Sequence, residues 1–244
     1  MPTRDPNENG WKSSAPNWIK RMGDQGDFSR EFILDIPMLK RVELARPSNA
    51  LDVGCGEGRF CRLLSGMGVS TTGLDPIATM IDAACKRDAK GDYHIGFAED
   101  LPFKNASFDL VVSYLSLIDI DDPAVAIAEM ARVLRPNGRM LIANLSSFAT
   151  SSMPLGKRIC RDTGDEIRPL GAYLEIQKMW LQWGGLRIQN WHRPLSFYMQ
   201  CFLEQDLALT FFDEPLPSGG PEKLVKAYHS MPYQMMMEWH KPAG

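Results

Sequence analysis

The apolar run Ala50-Leu51-Asp52-Val53 passes directly into Gly54-Cys55-Gly56-Glu57-Gly58, and residues 59–64 then show the apolar spacing of a helix. A strand that enters a glycine-rich turn and leaves as a helix points backbone N–H groups and the positive helix end at one spot. Glycine lets a ligand approach the main chain there. Such a turn belongs to an α/β fold whose ligand sits at the carboxyl edge of a parallel sheet. The glycines fall at 54, 56 and 58, and Arg59 stands where a dinucleotide fingerprint has its third glycine. That spacing disfavours a bridging diphosphate. Three small residues after a strand can also serve tight helix packing alone.

The rest of the chain keeps the alternation. Residues 32–44 read as a helix, 69–74 as a strand ended by Asp75-Pro76, 77–87 as a helix and 93–97 as a short strand. Residues 108–114 read as a strand buried on both faces, 123–134 as a helix stopped by Arg135-Pro136-Asn137-Gly138, and 139–145 as a strand. Strands separated by helices of this length imply right-handed crossovers and a parallel sheet. From 146 to 194 the rhythm fails, and two β-like stretches, 172–183 and 186–192, flank Gly184-Gly185 as a hairpin. Helix 195–205, strand 207–213, helix 222–229 and strand 234–240 return to the pattern, with Met235, Met236 and Met237 as buried strand. The expected organisation is a single domain: a lid and helix at 1–45, a core at 46–145, a cap insertion at 146–194 and a completion of the sheet at 195–244. Trp11, Trp18, Met22 and Phe28 load a polar, glycine-containing segment with apolar mass, as a flap over a pocket would.

Asp75, at the carboxyl end of the second strand, can accept hydrogen bonds from both ribose hydroxyls of a nucleoside. It can also cap the helix opening at Pro76. In Ala98-Glu99-Asp100-Leu101-Pro102-Phe103 a second carboxylate reaches the same edge, suited to a donor on an adenine ring, with Glu99 favoured over Asp100. Asp119, Asp121 and Asp122 read as the acidic first turn of the helix at Pro123 rather than as a metal cluster. His192 is the histidine placed for chemistry, against the simpler reading of a packed or solvent-facing ring, whereas His94, His229 and His240 read as structural.

Composition excludes several classes. With 244 residues and 44% hydrophobic residues the chain can bury a sizeable core. A net charge of −3 gives no footprint for a phosphate backbone. Five cysteines without a CxxC pair suggest neither disulfides nor zinc. No stretch approaches the about 18 apolar residues needed to span a bilayer. The first residues, MPTRDPNENGWKSS, lack the apolar stretch of a secretion signal, so the expected location is cytoplasmic.

In order and spacing, LDVGCGEGRF, TTGLDP, GFAEDLPF, FDLVVSYLSLIDI and EMARVLRPNGRMLIAN resemble the class I S-adenosylmethionine-dependent methyltransferases, over about residues 45 to 145. HRPLSFY, DEP and a final Lys-Pro look like the small-molecule, type 11-like subgroup. The resemblance implies a doubly wound seven-stranded sheet, order 3-2-1-4-5-7-6 with the last strand antiparallel, helices on both faces and a cap insertion. It implies S-adenosylmethionine as cofactor and S-adenosylhomocysteine as product. Gly54, Cys55, Gly56 and Gly58 would approach the methionine part, with Asp52 near its amino group. Asp75 and Pro76 would lie at the ribose, and Ile77, Ala98, Glu99, Asp100 and Leu101 around the adenine. Ser113, Tyr114 and Leu115 would face the sulfonium, with Tyr114 and His192 as catalytic candidates. Trp18, Met22, Phe28, Tyr173, Trp180 and Arg193 would form the lid and acceptor wall, and Arg158, Arg168 or Arg193 could attract an anionic acceptor or simply be solvated. The expected partner is a small-molecule acceptor, with no metal, nucleic acid or membrane, in a monomer or homodimer.

In-line methyl transfer needs acceptor, carbon and leaving sulfur held collinear and dry, and a base only where the acceptor must lose a proton. Three other readings compete. A nicotinamide-dependent dehydrogenase would want glycine at 59. A nucleic-acid methyltransferase would want a basic face and a DPPY-like turn where this chain has Ser113-Tyr114-Leu115-Ser116. A non-catalytic protein could bind the same cofactor.

Overall fold

The computed structural model describes residues 9–164 and 166–243. Its seven-stranded sheet is made of β1 (Asn49–Val53), β2 (Ser70–Asp75), β3 (Asp92–Ile95), β4 (Phe108–Tyr114), β5 (Leu134–Leu145), β6 (Ala208–Asp213) and β7 (Gln234–His240). The order is β3-β2-β1-β4-β5-β7-β6, as expected. Pairing is parallel from β3 to β5, and β7 runs antiparallel to both neighbours.

Helices cover both faces because the central strands alternate at period two. Val111 of β4, Met140 and Ile142 of β5 and Met235 and Met237 of β7 join one core, against α5 (Pro123–Val133) and α7 (Leu195–Leu203). Leu110 and Val112, Leu141 and Ala143, and Met236 point the other way, toward α2 (Asp35–Ala45) and α3 (Arg59–Gly66). On that second face β7 also places Glu238, 1% exposed. Arg41 of α2 donates to both its carboxylate oxygens, at 2.8 and 2.9 Å, Thr210 donates at 2.9 Å, and Arg139 pairs with it as well.

The chain departs from its sequence pattern in three places and in the additional elements of the cap, whose hairpin is as expected. Helix α5 ends at Val133 and β5 begins at once, Leu134 pairing with Phe108 and Arg139 with Leu110. Residues 135–138 are therefore an excursion inside a strand, with Asn137 at φ 63°. The expected helix 32–44 is a π-helix, Arg30–Leu34, continued by α2. The expected flap is a helix, α1 (Trp11–Met22), packed on the hairpin and on α4 (Ala78–Arg87). Within 146–194 the strands Gln177–Trp183 and Leu186–His192 form the hairpin, and Gly184 (φ 53°) and Gly185 (φ 80°) provide the left-handed pair that a tight two-residue turn requires. That region also holds α6 (Ser147–Ser152) and the short pair Arg158–Ile159 with Glu166–Ile167. Among the described residues no helix is long and apolar enough to cross a membrane.

Candidate active site

The turn after β1 is pinned to β2, because Gly54 and Cys55 both donate their N–H to the Leu74 carbonyl, at 2.7 and 3.0 Å. Gly54 has φ 77°, and a Cβ there would stand 2.4 Å from the Ser116 Cβ. Ser116 cannot yield easily: it donates to the Val53 carbonyl at 2.6 Å and meets the Ser113 hydroxyl at 2.6 Å. Gly54→Ala is therefore expected to cost about 2–4 kcal/mol, from overpacking plus a strained φ, and a melting temperature within about 2 °C of the parent would contradict this.

Two buried carboxylates flank the turn. Asp75 accepts from the Gly56 N–H at 3.0 Å and the Ile77 N–H at 2.9 Å. Burial pushes it up to about 6. Each oxygen keeps a second acceptor site. Asp52, 1% exposed, accepts from the Cys61 thiol at 3.6 Å through Oδ2, while Oδ1 has no hydrogen-bond partner among the described residues. Burial raises it to about 7. An unpartnered buried carboxylate oxygen is costly unless something cationic or donating meets it.

These groups open onto one cavity. One wall is Ile77 and Met80 with Trp11 and Trp18, whose rings meet edge to face at 5.2 Å. Beside it stand Pro76, Phe97, Ala98 and Glu99, the last accepting from the Asp122 N–H at 3.3 Å. At the other end Tyr114 and Leu115 follow β4, and the Arg30 guanidinium lies 5.0 Å from the Trp18 ring and 5.7 Å from the Tyr114 ring. Arg59 pairs with Asp35 and donates to the Asp24 and Gln25 carbonyls. Its side chain lines the cavity beside the turn.

The cavity thus brings together Asp52, Gly54, Cys55, Gly56, Asp75, Pro76, Ile77, Ala98, Glu99, Tyr114, Leu115 and Trp18. Several expected residues fall elsewhere. A Cβ on Gly58 would meet the Tyr93 hydroxyl at 2.7 Å, so this glycine serves packing against β3. Asp100 is exposed, Leu101 is core, and Ser113 lies beneath the turn. Met22 is buried outside the cavity, and Phe28 packs on Phe32 and Tyr228. Trp180 is 45% exposed under the Arg187 guanidinium, and Tyr173 packs on Phe148 and His192.

The catalytic candidates need correction. His192 is buried with both ring nitrogens engaged, Nδ1 at 2.7 Å from the Thr150 hydroxyl and Nε2 at 2.8 Å from the Tyr173 carbonyl, so it braces the cap. His192→Ala should lower stability by about 1–3 kcal/mol and leave ligand affinity in the cavity unchanged, measured by denaturation and calorimetry. The Tyr114 hydroxyl donates to Asp35 at 2.8 Å, and burial with the Asp35 charge pushes its ionisation well up, which removes it as a base. Arg193 is not an anion trap, because it is 2% exposed and its guanidinium donates to the carbonyls of Leu117, Ile120 and Asp121. Only Asp122 of the acidic trio caps α5, accepting from the Val125 N–H at 3.2 Å, whereas Asp119 and Asp121 line the cavity. Asp119 accepts from the side chains of Asn190 and Trp11, and burial pushes it up to about 7. Asp121 accepts from the Trp191 ring N–H at 3.0 Å, with Lys178 at 3.5 Å. Arg30, Asp119 and Lys178 carried no local signal, since each reaches the cavity through the fold.

A family model described as a methyltransferase domain matches residues 51–142. The chain is 37% identical over 129 residues to a malonyl-[acyl-carrier protein] O-methyltransferase of Serratia marcescens, 53% of this chain and 49% of that protein. It is 34% identical over 215 residues to a demethylmenaquinone methyltransferase of Thermotoga maritima, 83% of this chain and 87% of that protein. The first relatives are thus matched over about half of their length, the Thermotoga protein over most of it. In fold the chain is similar to an S-adenosylmethionine-dependent methyltransferase from Mesorhizobium loti, with TM-score 0.73 at 22% identity, covering 89% of this chain and 100% of that one.

Proposed function

The chain belongs to the S-adenosylmethionine-dependent methyltransferase family, and from that premise we propose that it transfers a methyl group to an oxygen or nitrogen atom of a small molecule. The observation that carries the reading is the pair of buried carboxylates on either side of the glycine turn. Asp52 Oδ1 has no hydrogen-bond partner among the described residues and suits an ammonium group, and Asp75 retains acceptor sites for two ribose hydroxyls. Ile77 and Met80 offer apolar faces to a base, with Glu99 at its edge for an amine donor. When bound, the sulfonium cofactor supplies an electrophilic methyl group. The chain's part is to orient and to exclude water, with Trp11 and Trp18 of α1 closing one side of the cavity.

The relatives are named for different acceptors, a malonyl-[acyl-carrier protein] and demethylmenaquinone, so neither acceptor is carried over. A net charge of −3 argues for a small acceptor rather than a nucleic acid. The test is incubation of the chain with methyl-labelled S-adenosylmethionine and a small-molecule extract. The expected result is label in an extractable product with matching S-adenosylhomocysteine release. Tight cofactor binding without any transfer would instead identify a non-catalytic binding protein.

A further inference from the structure

Six carboxylates line the cavity: Asp52, Glu57, Asp75, Glu99, Asp119 and Asp121. Five are committed. Asp52 and Asp75 flank the turn, and Glu57 lies 3.4 Å from Arg87 and 3.9 Å from Arg62. Glu99 is bonded to the start of α5, and Asp121 faces Lys178 at 3.5 Å. Asp119 differs, because the cofactor reading leaves it without a role and its donors come from the two elements that cover the cavity, the Asn190 amide from the hairpin and the Trp11 side chain from α1. Donors on two elements fix the orientation of its carboxylate, and among the described residues it makes no ion pair, the arrangement of a base.

Building on the reading above, we propose that Asp119 takes the proton of the methyl acceptor, and that the acceptor is a weakly acidic hydroxyl, phenolic or enolic, seated against Trp11 and Trp18. In the step, the acceptor O–H bond breaks and its proton passes to an Asp119 oxygen. The acceptor oxygen forms a bond to the methyl carbon, and the electron pair of the carbon–sulfur bond stays on sulfur. Asp119 then returns the proton to solvent. A carboxylate acceptor is already ionised and would be repelled by Asp119, and an amine with a free lone pair needs no base. A phenol, ionising near about 10, does need one.

Burial, opposed by its two hydrogen bonds, sets Asp119 at about 7, with Asp75 adding to the rise and Arg30 of the π-helix opposing it. Asp121 and Lys178 stand at the same cavity, and Tyr198 and Arg193 lie on the α7 side. A base of that strength is charged above neutrality, so the rate should rise with pH through about 7.

The test uses the full chain with S-adenosylmethionine and three acceptor panels: phenols and enols, carboxylic acids, and amines. With S-adenosylmethionine held saturating at every pH, so that the titration of Asp52 and Asp75 does not enter, the wild type should methylate the first panel with kcat/KM for the acceptor rising through about pH 7. Asp119→Asn should hold S-adenosylhomocysteine within about twofold of wild type and lose about 100-fold or more in kcat/KM on an ordinary phenol. It should recover near-wild-type turnover with 4-nitrophenol, which is already ionised in mildly alkaline buffer. The proposal is overturned if the variant stays within about threefold on an ordinary phenol, if the wild-type pH limb is flat, or if a cofactor-binding wild type methylates no phenol or enol. Should the variant not fold, the wild-type limb and acceptor panel decide alone. A wild type that binds no S-adenosylhomocysteine defeats the earlier reading instead.

Discussion

Asp75→Ala is expected to weaken S-adenosylhomocysteine binding by at least about 100-fold, since hydrogen bonds to a charged acceptor contribute about 1.5–3 kcal/mol each and two ribose hydroxyls would lose theirs. The same carboxylate orders the turn by holding the Gly56 and Ile77 N–H groups. Both lie at the cavity, where water can replace the side chain, so the folding cost should stay near about 1 kcal/mol. Asp75→Asn keeps one acceptor oxygen and should fall between. Calorimetry showing unchanged affinity in Asp75→Ala refutes the ribose assignment. Asp75 sits at about 6 and Asp52 at about 7, so affinity should also decline as pH falls from 8 toward 5 and the two carboxylates lose charge.

Glu238→Ala should be the most destabilising single change away from the cavity. Burial alone would raise its carboxyl, but the Arg41 and Thr210 hydrogen bonds and the charges of Arg139 and Arg41 outweigh it and hold the group below its usual range. Removing it leaves two guanidinium groups facing each other without their shared anion. Breaking a buried pair in this way costs about 3–5 kcal/mol, and each kcal/mol moves the melting temperature of a chain this size by about 2–4 °C. A drop of less than about 3 °C would contradict the assignment. Because the folded value is depressed, the contribution is full above the unfolded value near about 4.3 and is lost as pH falls through the folded value. Acid should therefore narrow the gap between variant and parent.

The central strands were legible because period and turn chemistry agree: Val53 runs into glycine, Leu74 into Asp75-Pro76, and Leu110 to Val112 is buried on both faces. The turn residues and Asp75 follow from that local pattern. The excursion at 135–138 misled because Pro, Asn and Gly also break helices, and only the pairing of Leu134 with Phe108 reveals a strand already begun. His192 was misplaced for a different reason. It ends the second hairpin strand, but the face it presents depends on where Thr150 and the Tyr173 carbonyl fold back, and neither is near it in sequence. Asp119 was hidden inside an acidic turn whose third member, Asp122, does cap a helix. The place of Asp119 in the cavity is held by Asn190 and Trp11, residues 71 and 108 positions away.

The glycine turn and its two carboxylates should receive an adenosyl sulfonium compound and refuse a dinucleotide. Titrating the full chain with S-adenosylhomocysteine and, separately, with NADH in one calorimetric series tests it. Saturable binding of the first, abolished in Asp75→Ala, with no heat from the second, is the expected outcome; saturable NADH binding with none for S-adenosylhomocysteine would contradict it.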